Sequence, residues 1–238
     1  MLLTAYVINN RLHNPVACEC EHKHLSFVVE IMKNRKIPDE TIRRLPIYLR
    51  GLLFLQDKGQ KNISSLNLAE FVGAYPWQIR KDFSYFGEFG VRGIGYNIEK
   101  LTKEIKRILK LNVVQKAALV GVGNLGSAFL TYPGFGIYGF NVAAAFDVDP
   151  KKIGRKINNV VINNVSNIKT LRKRKIKLGI IAVPRQAAQD TADKLVKAGI
   201  TGILNFSPCF ITVPKKVKVI TIDIAMDLAR LPYYMPAN

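Results

Sequence analysis

The chain has 238 residues, 48% of them hydrophobic, with 36 Lys and Arg against 17 Asp and Glu for a formal net charge of +19. That length and apolar content suit two modest domains with buried cores. No apolar run approaches the roughly 18 residues that span a bilayer and the start lacks a secretory signal, so a cytoplasmic protein with no membrane partner and a polyanionic ligand is expected.

Residues 1–32 sustain no helical period and are expected to form a poorly ordered extension. Cys18, Cys20, His22 and His24 alternate there in CECEHKH; they lack the loop spacing that lets four ligands surround zinc, so no metal site is expected. With Cys209 they make three cysteines, too few for a disulfide framework in so large a chain.

From Ile42 onward Leu45, Tyr48, Leu49, Leu52 and Leu53 recur at three- and four-residue steps, which predicts an amphipathic helix with Pro46 in its first turns. Ser64, Ser65 and Asn67 precede LAEFVG, a second short helix stopped by Gly73. A third helix opens on Pro76 and ends at Gly87; Ile79, Phe83 and Phe86 line its buried face, and Gln78, Arg80, Lys81 and Ser84 its polar one. Two helices joined by a tight glycine turn make a helix-turn-helix, whose second helix enters a major groove. GEFGVRGIGY then reads as a wing, with Arg92 at the tip of a glycine-flanked hairpin that suits a narrow minor groove. Ile98, Leu101, Ile105, Ile108 and Leu109 continue as a helix with Lys103, Lys106, Arg107 and Lys110 toward solvent. Residues 33–112 therefore read as a winged-helix DNA-binding domain with a linker helix.

Residues 113–222 read as a Rossmann domain, an α/β doubly wound parallel sheet. A buried strand over 117–122 runs into Gly121-x-Gly123-x-x-Gly126 and a helix, and a second strand, FNVAAAFDVDP, ends on acids. Gly121, Val122, Gly123, Asn124, Leu125 and Gly126 would cradle a pyrophosphate at the helix N-terminus. Asp147, 26 positions after Gly121, is placed to bond a ribose hydroxyl, with Asp149 as a second candidate; an acid there favours NAD(H) over NADP(H). LGIIAVP and GILNF continue the sheet, and Val183 and Pro184 would wall the cofactor. Ten Lys and Arg with no acid lie between Lys151 and Lys177, either a solvated face or a contact with flanking DNA. Cys209 is expected to be a packed core residue.

A dehydrogenase needs a proton donor beside the nicotinamide. The three histidines, His13, His22 and His24, all lie in the extension, and the Tyr96-x-x-x-Lys100 pair precedes the glycine motif. A sensor of NAD+/NADH, using the cofactor as a regulatory ligand, is the expectation. The alternatives are a small NAD-dependent oxidoreductase with a helical appendage, or a basic interaction module with a structural nucleotide.

KIPDETIRRLPIYLR, QIRKDFSYFGEFGVRGIGY, VGVGNLGSA with YPGF, FDVDP, AVPRQAAQ and ILNFSP, in that order between Lys36 and about Tyr234, resemble the signatures of the redox-sensing transcriptional repressors called Rex. The resemblance implies a homodimer on double-stranded operator DNA, released by NADH, with a short C-terminal helix within 223–238 exchanged between subunits. It further implies a switch in which Asp223 pairs with Arg50 in the DNA-binding state and with Tyr132 of the other subunit in the closed one. Ile224 stands where members of that family often place an aromatic residue.

Overall fold

A computed structural model describes residues 37–236, which divide into two compact units after Leu109. The N-terminal unit opens with α1 (Asp39–Asp57), whose Leu45, Tyr48, Leu49 and Leu52 are buried. Pro46 sits in the interior of this helix rather than in its first turns. The missing N–H leaves the Ile42 carbonyl without its usual partner, but buried residues on both sides of the proline hold the helix together.

Strand β1 (Asn62–Ile63) leads to α2 (Ser65–Val72), capped by the Ser64 hydroxyl, which accepts the Asn67 N–H at 3.0 Å. Ser65 and Asn67 thus lie inside the helix, and only Ser64 is the cap. Gly73, at φ +67°, ends it in the left-handed conformation that glycine adopts without strain. Helix α3 (Pro76–Ser84) begins on its proline and buries Ile79 and Phe83. Strands β2 (Gly90–Val91) and β3 (Gly95–Asn97) form the hairpin, and β3 also pairs antiparallel with β1. Helix α4 (Ile98–Ile108) buries Ile98, Leu101 and Ile105 and packs on α1. Its apolar face belongs to the core of its unit, and Lys106 and Arg107 are only partly exposed.

The C-terminal unit carries a seven-stranded sheet. Its strands are β4 (Gln115–Val120), β5 (Phe140–Asp147), β6 (Lys156–Ile157), β7 (Val160–Asn164), β8 (Leu178–Ile181), β9 (Gly202–Asn205) and β10 (Lys218–Thr221), in the order β10-β9-β8-β4-β5-β7-β6. The order reverses on either side of β4, which makes the sheet doubly wound. Alternate residues of β4 feed two cores. Ala117 and Leu119 join Val142, Ala145, Ile162 and Ile180 on one face; Ala118 and Val120 join Phe146, Ile181, Leu195 and Ile203 on the other. Helices α5 (Asn124–Thr131) and α7 (Arg185–Lys197) contribute Leu130 and Leu195 to these faces, and a short α6 (Gly134–Ile137) lies between α5 and β5.

The sheet is parallel as expected except at one edge, where β6 and β7 pair antiparallel. Asn158 and Asn159 join them at φ +44° and +66°, the pair of left-handed residues that a tight hairpin needs. The first strand also ends at Val120, two residues before the expected boundary, because Gly121 at φ +92° turns the chain. The unit closes with α8 (Ile224–Leu228) and a single turn at Leu231–Tyr234, neither of which buries a residue. Among the described residues no helix is long and apolar enough to cross a membrane, and no group of three His, Cys, Asp or Glu could hold a metal. The expected extension, with Cys18, Cys20 and every histidine, lies outside the described residues.

Candidate nucleotide and nucleic-acid interfaces

The glycine loop lies at the C-terminal end of β4, at the point where strand order reverses between β4 and β8, the place where a doubly wound sheet offers a crevice to its ligand. Gly121 and Gly126 are each required by the fold, for different reasons. A Cβ on Gly121 would run into the Ala182 carbonyl and lie 2.8 Å from the Val183 side chain, which fixes the approach of the two strand ends. A Cβ on Gly126 would overlap the Gly121 carbonyl oxygen, so this glycine lets α5 start close to the strand. Gly123 alone faces open space, with nothing within 4 Å of an added Cβ. Asn124 and Leu125 follow it as exposed first-turn residues of α5.

Asp147 is buried at the end of β5, with 6% exposure, and is turned toward this loop. Its carboxylate accepts the Val122 N–H at 2.7 Å and the Asp149 N–H at 2.9 Å, and Lys152 lies 3.4 Å away. Burial alone would raise the pKa of this carboxyl; the two backbone N–H groups and Lys152 outweigh it, so the net displacement is downward and the group stays ionised. Three donors leave lone pairs for a ribose hydroxyl. The Lys152 ammonium, however, offsets the charge that would repel a 2′-phosphate. Asp149 is half-buried, and its carboxylate accepts the Lys151 N–H.

Val183 and the exposed Pro184 follow β8 directly across from Gly121. The Val183 carbonyl accepts the Ser207 hydroxyl at 2.6 Å. Ser207 is held by the buried Asn205, whose amide also donates to the Cys209 carbonyl at 3.0 Å. Asn205 and Ser207, which sequence reasoning did not single out, therefore fasten the wall of the crevice. Cys209 is not in the core: it is half-exposed on this loop, because the chain from 206 to 217 crosses to β10 without a covering helix.

In the N-terminal unit Arg80, Ser84 and Arg92 line a single cleft of about 520 Å³ between α3 and the hairpin. Arg92 is exposed at the hairpin tip, as expected, and Lys81 is exposed on α3. Arg80 reaches back to donate to the Ser65 hydroxyl at 2.9 Å. Gln78 is half-buried, and its amide donates to Asp82 at 3.0 Å.

Asp82 is the residue that pattern reading missed. It is fully buried and accepts five hydrogen bonds: Thr41 at 3.0 Å, Arg44 at 2.6 and 2.8 Å, Tyr48 at 2.7 Å and Gln78 at 3.0 Å. Burial pushes its carboxyl up, but the Arg44, Tyr48, Thr41 and Gln78 hydrogen bonds together bring it below the ordinary aspartate value. Tyr48 is displaced upward, first by burial and then by Asp82. This network bolts α3 to α1.

The residues of the expected switch are placed as follows. Arg50 is exposed on α1, at the rim of a groove with Ile47, Phe54 and Phe71. Tyr132, 57% exposed, stands edge-on to Phe135 at 5.4 Å. Asp223 caps α8, accepting the N–H groups of Ala225 and Met226, and Ile224 beside it is exposed. In the basic run Lys152 is held by Asp147, and Arg174 donates to the Ala143 carbonyl. Tyr96, the residue that a reductase reading would need, is buried edge-on against Phe83 at 5.3 Å.

A family model described as "Putative DNA-binding protein N-terminus" matches residues 36–84, and one described as "CoA binding domain" matches 113–209. The chain is 46% identical over 203 residues to the redox-sensing transcriptional repressor Rex of Desulfitobacterium hafniense, covering 85% of this chain and 97% of that protein. The Rex of Carboxydothermus hydrogenoformans is 45% identical over 203 residues, 85% of this chain and 98% of its own length. Among solved structures it is similar to RSP in complex with β-NAD+ and operator DNA, with a TM-score of 0.79 and 38% identity over 84% of this chain and 93% of that one. It is similar to RSP in complex with β-NADH at a TM-score of 0.77 and 36% identity, over 84% of this chain and 95% of that one.

Proposed function

The chain belongs to the family of redox-sensing transcriptional repressors called Rex, and from that premise we propose that it binds operator DNA through α3 and the β2–β3 wing and leaves it when NADH occupies the glycine loop. The observation that carries this reading is the joining, in one chain, of a helix-turn-helix with an arginine-tipped hairpin to a crevice whose Gly123 leaves backbone open for a pyrophosphate. The relatives are repressors rather than enzymes, and Tyr96 is a core residue. Gln78, Arg80, Lys81, Ser84 and Arg92 meet the DNA; Gly121 to Gly126, Asp147, Asp149, Val183 and Pro184 hold the nucleotide.

The working form is a homodimer in the cytoplasm. Ile224, Met226, Leu228, Leu231, Tyr233 and Tyr234 are each more than half exposed on the C-terminal tail, an apolar surface that a second copy would cover, in keeping with an exchanged helix. Arg50, Tyr132 and Asp223 form the switch. Its redox sense follows from charge, since oxidised nicotinamide is cationic and the reduced ring is neutral, so an apolar site penalises the former. A ligand shifts the equilibrium only by its differential affinity for the two states.

Fluorescence anisotropy of a labelled palindromic duplex at fixed salt tests the whole. NADH is expected to weaken binding by about 5- to 150-fold, the usual range of allosteric coupling, and NAD+ far less. Equal effects of both cofactors would discard the redox sensor. The Arg92→Ala chain is expected to lose about tenfold in operator affinity, in the range of ~1–3 kcal/mol for a groove-reading arginine; unchanged affinity would remove the wing from the interface.

A further inference from the structure

The exposed side of α3 includes one residue that side-chain type alone does not select. Gln78 is turned in to Asp82, whereas Trp77 stands 54% exposed beside Tyr75 at 68%. The two rings are stacked, centroids 6.1 Å apart and 16° from parallel. Trp77, Lys81 and Ser84 follow at four- and three-residue steps and so share one side of the helix, and all three are exposed. Tryptophan is highly buried on average; here it is bare, next to a cation, in the first turn of the helix offered to DNA.

We propose that Trp77, steadied by Tyr75, is a specificity-determining residue that reads thymine through its 5-methyl group in the major groove. This deepens the DNA-binding reading above and rests on it. The first residues of a recognition helix are those that reach base edges, and the thymine methyl is the apolar feature that the major groove displays. An indole offers a broad apolar face, and its single N–H is a donor only, suited to the acceptor O4 of the same base. Stacking on Tyr75 already restricts the ring in the free protein, so little freedom is lost on contact.

Trp77 is the only tryptophan in the chain, so its emission reports this contact directly. The probe is a palindromic duplex selected from a random library by the full-length protein, compared with the same duplex carrying uracil for every thymine. That exchange removes the methyl groups and nothing else. One buried methyl is worth about fourfold in affinity, hence about 15-fold if both half-sites of a dimer are read. The wild-type chain is expected to prefer the thymine duplex by that factor and to change its emission on binding. Trp77→Ala should bind the two duplexes alike, and Trp77→Phe should keep part of the preference, with circular dichroism melting showing both variants folded. A full thymine preference in Trp77→Ala, or unchanged emission from a wild-type complex that anisotropy shows to be formed, would overturn the proposal. Failure of the wild-type chain to select any duplex would instead overturn the DNA-binding reading beneath it.

Discussion

Asp82→Ala is expected to abolish operator binding and to unfold the N-terminal unit at moderate temperature, although Asp82 touches no DNA in the proposed interface. The substitution removes an acceptor that satisfies Thr41, Arg44, Tyr48 and Gln78 together. The Tyr48 and Thr41 hydroxyls are buried and would lose the carboxylate to which they donate; the Arg44 guanidinium, 28% exposed, would lose the carboxylate that neutralises it. Breaking one side of a buried ion pair costs about 3–5 kcal/mol, against a total stability of about 5–15 kcal/mol for a typical domain. Asp82→Asn keeps the shape but points an amide N–H at other donors, so it should fall between wild type and Ala.

The pH dependence has a fixed sign. The folded pKa of Asp82 lies below its ordinary value, so its contribution is complete above the ordinary aspartate range. It is lost as pH falls below about 4 through that lowered value. Acid denaturation followed by circular dichroism should therefore be steeper for wild type than for Asp82→Asn in that window. An Asp82→Ala chain that melts with wild type and binds the operator normally would show that the network is ornamental.

Why this carboxylate escaped a reading of the sequence is physical. Periodicity places residues on helix faces by type, and an aspartate flanked by Lys81 and Arg80 looks like a solvated one. Thr41, Arg44 and Tyr48 lie 34 to 41 positions away, a separation that no local pattern registers. The same blindness hides the bond from the Gln78 amide to Asp82, four residues on. Features with a local chemical cause were legible. The Ser64 cap, the Gly73 stop, the Pro76 start and the arginine-tipped hairpin each follow from what one residue's backbone or side chain can do. The antiparallel edge was legible in principle, because Asn158-Asn159 between Ile157 and Val160 is a tight-turn signal. Asn205 and Ser207 were not, because their purpose is to bind loops that meet only after the sheet has formed.

Gly123→Val is expected to give a repressor that stays on its operator at NADH concentrations that release wild type. Gly121 and Gly126 serve the fold as well as the ligand, so their substitution would confuse the two: Gly121 is at φ +92°, and a Cβ on Gly126 meets the Gly121 carbonyl. Gly123 is at φ −81°, with nothing within 4 Å of an added Cβ, so its backbone accepts an L side chain and the β-carbon meets no protein atom. The valine instead occupies the volume through which a pyrophosphate approaches the N-terminus of α5. Losing two charge-assisted backbone contacts at about 1.5–3 kcal/mol each implies a fall in NADH affinity of at least about 100-fold, measurable by nicotinamide fluorescence. Since a ligand that does not bind cannot shift an equilibrium, operator affinity without cofactor should match wild type, while its response to NADH disappears. Release by NADH at wild-type concentrations in this variant would place the nucleotide outside the glycine loop, and with it the physical link proposed between redox state and DNA.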